Sequence, residues 1–250
     1  NNVFLGNNAG KANTTGSYNV FIGDSVALAN SYGKYNVFLG YQTGKDNTAS
    51  NNTFLGYQAG LSNTTGEGNV FLGKSAGSGN TTGKFNVMLG FEAGKNSNDA
   101  MYNTIIGYQA GMNCTTDGEG ILSVKGRSNV FLGYKAGNNN TTGSCNVFLG
   151  TSAGVNNKTG ESNVFIGQSS GSGNVSGSHN VFMGYGAGSN GNASSSSIIL
   201  GWNAGGYAKT ITQSVVIGVN AGVGDGNYSY YGNVFVGGGA GYKNTSGESN

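Results

Sequence analysis

Proline is absent from this 250-residue chain, histidine occurs once, cysteine twice, and charged residues make up only 9%. Each shortage excludes something. Forty-nine glycines without proline and without a Gly-X-Y period exclude collagen. A net charge of +2 offers no field to hold nucleic acid or an anionic membrane. No apolar run approaches the ~18 residues that a membrane helix needs, so no membrane insertion is expected. The ten acidic residues are scattered, with no recurring pair for acid–base work and no aspartate at the fixed phase of calcium-binding nonapeptide solenoids. The single histidine, His179, stands in a Ser-His-Asn corner, and Gly237-Gly238-Gly239 lacks the strand–helix context of a phosphate loop. The chain reads as a non-enzyme without cofactor or metal.

What is present is one phrase, Asn-Val-Phe-Leu-Gly, recurring fourteen times in more or less altered form. Its closing glycine falls at Gly6, Gly23, Gly40, Gly56, Gly73, Gly90, Gly107, Gly133, Gly150, Gly167, Gly184, Gly201, Gly218 and Gly237. Ten of the thirteen intervals are 17 residues, and the others are 16, 26 and 19. A fixed short period means a stacked array in which each unit buries its apolar side against its neighbours. Val3-Phe4-Leu5, bounded by glycine, is too short for a helix and reads as a strand. Ala9-Gly10, echoed at Ala59-Gly60 and Ala136-Gly137, predicts a second short strand with a small inward side chain. Asn13-Thr14-Thr15-Gly16 closes the unit with turn residues. The expectation is an all-β parallel β-solenoid of about fourteen coils, two or three short strands per coil, forming a single array over 1–250. At about 4.8 Å per rung the rod would be roughly 65–70 Å long. The asparagine before each valine (Asn19, Asn36, Asn69, Asn86, Asn146, Asn163, Asn180) either stacks into an amide ladder or faces water as a turn residue. The chain begins and ends in mid-phrase, and so reads as a segment of a longer protein.

Side chains alternate across a strand, so Val and Leu share one face and the middle residue takes the other. That middle position holds Phe4, Phe21, Phe38, Phe54, Phe71, Phe131, Phe148, Phe165, Phe182 and Phe235. If Val and Leu fill the core, the phenylalanines form an outward stripe; if Phe fills it, two aliphatic rows face outward. Ten rings at about 150–250 Å² each exceed what a soluble monomer normally exposes. The preferred expectation is therefore self-association through the Phe stripe, as a homo-oligomer or filament.

The phrase resembles the head-domain repeats of trimeric autotransporter adhesins, of the form Ser-Val-Ala-Ile-Gly-x-x-Ala. Val3, Leu5, Gly6 and Ala9 fall on the Val, Ile, Gly and Ala of that repeat, and Val20/Ile22/Gly23 and Val164/Ile166/Gly167 match again. Two features depart from the family: Phe stands where it has a small residue, and the coil is about three residues longer. The resemblance implies a parallel β-roll, a trimer, and adhesion to a surface receptor or matrix. It is shared with repeats of phage tail fibres and large surface proteins.

Three features are left. The 26-residue interval predicts an insertion loop at about 113–128, which carries Lys125 and the only arginine, Arg127. Cys114 in this insert and Cys145 one coil later are candidates for a disulfide, favoured by an oxidising location. Asn-X-Ser/Thr sequons at Asn13, Asn63, Asn80, Asn140, Asn157, Asn174 and Asn244 share one corner and are candidate glycosylation sites. A surface rich in amides and hydroxyls instead of charge fits an extracellular or cell-surface setting. The functional expectation is a structural or adhesive extracellular fibre segment. Its rivals are an ice-binding or glycan-binding solenoid, although the corner threonines fail at Ser31, Ser97 and Ala193.

Overall fold

A computed structural model describes residues 1–115, 125–227 and 229–244. Contacts divide the chain into two units, Asn1–Asn129 and Val130–Asn250. The boundary falls inside the 26-residue interval from Gly107 to Gly133, just after the expected insertion. Most of the insertion expected at 113–128 lies outside the described residues.

Both units are parallel β-solenoids, and among the described residues there is no helix. The first unit holds β1 (Val3–Leu5), β2 (Val20–Ile22), β3 (Val37–Leu39), β4 (Thr53–Leu55), β5 (Val70–Leu72), β6 (Val87–Leu89) and β7 (Thr104–Ile106). These pair in sequence order, each phrase lying directly over the next: Val3 on Val20, Phe4 on Phe21, Leu5 on Ile22. The second unit holds β8 (Val130–Leu132), β9 (Val147–Leu149), β10 (Val164–Ile166), β11 (Val181–Met183), β12 (Ile198–Leu200), β13 (Thr210–Thr212), β14 (Val215–Ile217), β15 (Ser229–Tyr231) and β16 (Val234–Val236). Here β8 to β12, β14 and β16 stack in the same register, while β13 pairs with β15 as a separate two-stranded sheet.

Most phrase coils contain one three-residue strand, not two or three; the coils that begin at β12 and β14 contain two. The Ala-Gly segment continues the rung-to-rung bonds, as in Gly60 N–H to Ala76 O at 3.0 Å and Gly154 N–H to Ser170 O at 2.9 Å. It cannot be extended, because two of its residues are left-handed: Gln58 at φ 54° and Gly60 at φ 58°. Among the described residues a true second sheet arises only at β13 and β15, where Asn-Thr-Thr-Gly has given way to Thr-Ile-Thr and Ser-Tyr-Tyr.

The phenylalanines are the core. Phe21, Phe38, Phe54, Phe71, Phe131, Phe148, Phe165 and Phe182 are fully buried, Phe235 is 9% exposed, and Phe4, in the first rung of its unit, is 37% exposed. The outward Phe stripe is thus overturned. Consecutive rings stack at 4.6–5.3 Å, from Phe4 to Phe71 in the first unit and from Phe131 to Phe182 in the second. The opposite wall supplies a small residue and a glycine, leaving a slot about one ring wide. A Cβ on Gly44 would stand 2.6 Å from Phe38 Cε2. Each buried ring contributes roughly 1.5–3 kcal/mol of apolar transfer.

The glycine that closes the phrase turns the corner. Gly150 has φ 134°, and a Cβ there would lie 2.7 Å from the carbonyl oxygen of Gly167 in the next rung. Replacing Gly150 with Val should cost roughly 3–5 kcal/mol, from a conformation that β-branched residues avoid and from backbone contact. Thermal unfolding should show a melting temperature lower by on the order of 10 °C; an unchanged value would show that the corner is ordinary.

Candidate functional site: buried amide ladders and an aliphatic face

The asparagine before most phrase strands points inward, and these asparagines form a ladder within each unit. Asn36 donates its backbone N–H to Asn19 Oδ1 at 2.9 Å, Asn52 to Asn36 at 2.9 Å, Asn69 to Asn52 at 2.9 Å and Asn86 to Asn69 at 2.9 Å. In the second unit Asn163 donates to Asn146 at 3.0 Å and Asn180 to Asn163 at 3.1 Å. Each Nδ2 crosses the coil to a turn carbonyl, as from Asn69 to Gly83 O at 2.8 Å. Ser197 and Ser214 continue the ladder with shorter side chains: Ser214 donates its N–H to Ser197 Oγ at 3.2 Å, and Asn233 donates to Ser214 Oγ at 3.1 Å.

A second ladder occupies the sequon corner. Asn63 Nδ2 donates to Asn47 Oδ1 at 2.6 Å, Asn80 to Asn63 at 2.6 Å, Asn157 to Asn140 at 2.8 Å and Asn174 to Asn157 at 3.2 Å. The glycosylation reading therefore fails where the ladder runs. Asn63, Asn80, Asn140, Asn157 and Asn174 are fully buried. Their Nδ2 atoms, which a sugar would have to occupy, also bond the glycine carbonyl three residues on, at 2.9 Å for Asn63 to Gly66 and 3.0 Å for Asn157 to Gly160. Asn13, half-buried, makes the same bond to Gly16 at 3.2 Å. Asn244 is half-buried next to residues that are not described, and its carbonyl accepts from Tyr230 Oη at 3.2 Å. Burial pushes the Tyr230 phenol above its ordinary value.

Cys114 takes the same corner position as these asparagines. It is buried, with Sγ 3.4 Å from Gly126 O and accepting from Asn129 Nδ2 at 3.7 Å. Cys145 is exposed, at a left-handed position of φ 57°. No disulfide joins them, because one side chain points into its coil and the other out of its coil. His179 is likewise exposed, at φ 61°. Among the described residues no group of three or more His, Cys, Asp or Glu side chains could hold a metal. Glu92 sits below the usual carboxylate range because it accepts from Lys95 at 2.8 Å and from Gln109 at 2.7 Å.

With Phe inside, Val and Leu face out. Val37 is 38% exposed, Leu39 37%, Leu132 45% and Ile198 42%, and the other phrase aliphatics are half-buried or more exposed. Two columns of aromatic side chains border this face. One follows the phrase glycine: Tyr41 stacks on Tyr57 at 5.4 Å, Lys74 Nζ lies 5.6 Å from both the Tyr57 and Phe91 rings, and Phe91 stacks on Tyr108 at 5.1 Å. The other precedes the ladder asparagine, with Tyr18 on Tyr35 at 5.2 Å and Phe85 on Tyr102 at 5.6 Å. Sequence reasoning missed these columns, although aromatic residues recur at the same phase in several coils, as at Tyr41, Tyr57, Phe91 and Tyr108.

The ladders give a test of stability. Ser97 interrupts the corner ladder, and both its Oγ and Asn80 Oδ1 are buried without a partner. Ser97→Asn should supply the missing donor and raise stability by about 1 kcal/mol, or about 2–4 °C in thermal unfolding. Asn69→Ala removes the acceptor of the Asn86 N–H and the donor to Gly83 O, and should cost roughly 2–5 kcal/mol. A neutral Asn69→Ala would show that the ladder carries no weight.

Compared with family models, with curated proteins and with solved structures, the chain matches none.

Proposed function

We propose that the protein is a non-catalytic structural segment of an extracellular fibre, with adhesion through its surface as the associated role. The observation that carries this is the allocation of polar chemistry. The buried amides are consumed in rung-to-rung ladders, which makes a stiff, self-templating scaffold in place of a reactive cleft. The resemblance of the phrase to the heads of trimeric autotransporter adhesins supports the same reading.

The rivals fit the surface less well. Sugars stack on the faces of aromatic rings, but here many of the faces are taken by neighbouring rings or by Lys74, leaving edges outward. Ice binding calls for a flat hydroxyl array. The flat face is instead aliphatic, and the corner hydroxyls bond the next rung, as in Thr64 Oγ1 to Thr81 O at 3.0 Å and Thr141 Oγ1 to Lys158 O at 2.9 Å.

Imaging of the native assembly by electron cryomicroscopy should show straight fibres with an axial repeat of about 4.8 Å. Isolated globular particles without an axial repeat would refute the fibre reading, and thermal hysteresis in a freezing assay would favour ice binding.

A further inference from the structure

We infer that the Val/Leu face of each unit is a contact surface for a second copy of this chain, packed face to face; this rests on the fibre reading above. Three observations lead there. First, the face is apolar in every rung. In the first unit its two columns contain only Val, Leu, Ile and the threonines Thr53 and Thr104, and no charge interrupts them. Rows that core packing does not need would be expected to drift toward polar residues in at least some coils.

Second, the area is sufficient. The seven bordering rings whose exposure lies between 44% and 57%, from Tyr18 to Tyr108, add to the aliphatic columns. With about 150–250 Å² available per ring, the apolar surface of this unit is on the order of 1,000 Å². A stable contact buries roughly 800 Å² per partner, and a monomer's largest apolar patch is usually about 300–600 Å².

Third, the surface is periodic. Valine and leucine project once per rung, at the spacing of hydrogen-bonded strands, so the face is a series of ridges and grooves about 4.8 Å apart. A partner with another surface texture meets only the ridge tops. A second copy carries the identical repeat and can set its side chains between these, rung against rung, as in the dry interfaces of stacked sheets. The matching period selects self over an unrelated globular partner.

The test uses the full chain and sedimentation velocity over a range of concentrations. The unaltered protein should associate. Leu39→Lys with Leu132→Lys, one substitution on each unit's face, should weaken association at least about 100-fold while circular dichroism keeps its β-signal, since unpaired ammonium groups would enter a dry contact. Mixing that variant with Leu39→Glu/Leu132→Glu should restore association by pairing opposite charges. Thr65→Lys, on an exposed corner away from the face, should leave association unchanged. If the Lys variant loses its β-signal, Leu39→Thr/Leu132→Thr decides the matter by the same readout. A parent chain that is monomeric at every concentration overturns the inference, as does a folded Lys or Thr variant that associates like the parent. A monomer that floats with phosphatidylcholine vesicles would overturn it too, assigning the face to lipid. Straight fibres formed by a chain whose Val/Leu face is dispensable would defeat this contact yet leave the fibre reading standing.

Discussion

An asparagine amide buried in a coil has a donor and an acceptor to satisfy, and here both partners lie at fixed positions in the array. The donor reaches the turn carbonyl of one rung and the acceptor takes a backbone N–H from the adjacent rung, as Asn69 does with Gly83 and Asn86. Leaving such a group unpaired costs about 1–3 kcal/mol, so a slip of register by one residue would carry that penalty in every rung. The ladder thereby fixes register more sharply than hydrophobic contact could, because Val, Leu and Phe would all tolerate a shifted neighbour.

The same amide decides which face of the strand is inside. Asn19 and Phe21 are two residues apart in an extended segment, and so point the same way. Once the asparagine is committed to the interior, the phenylalanine follows. The opposite wall accommodates the ring by giving up side-chain volume, through Ala59 and Gly60 facing Phe54, for example. Close packing then excludes Val and Leu from the interior and leaves them as the outer wall. The outer aliphatic face is therefore a geometric consequence of the buried amide.

The period, the strand at each phrase, the parallel stacking and the obligatory glycine at Gly150 were legible in the sequence, because each follows from spacing and from local backbone demands. The orientation of Phe was not, because both faces of the strand are apolar and hydrophobicity could not choose. The choice lay in the polar residue two positions earlier. If the Asn row is an internal ladder, the Phe row is internal as well; the two questions are one. The sequons misled for a related reason. Asn63-Thr64-Thr65-Gly66 is a turn whose asparagine caps its own glycine carbonyl inside the coil, and the motif alone does not show which way the amide faces. The single strand in most coils was also hidden, because left-handed residues such as Gln58 and Ser152 are not glycines. Cys114 looked like part of a loop but occupies the ladder corner.

The most direct test is the exchange of asparagine side-chain amide protons with solvent, followed residue by residue by nuclear magnetic resonance. If the ladders hold the coil, the Nδ2 protons of Asn36, Asn69 and Asn163 should exchange at least about 100-fold more slowly than those of the exposed Asn51, opening only with the backbone of their rungs. Exchange at the rate of Asn51 would place these amides in water and contradict the account.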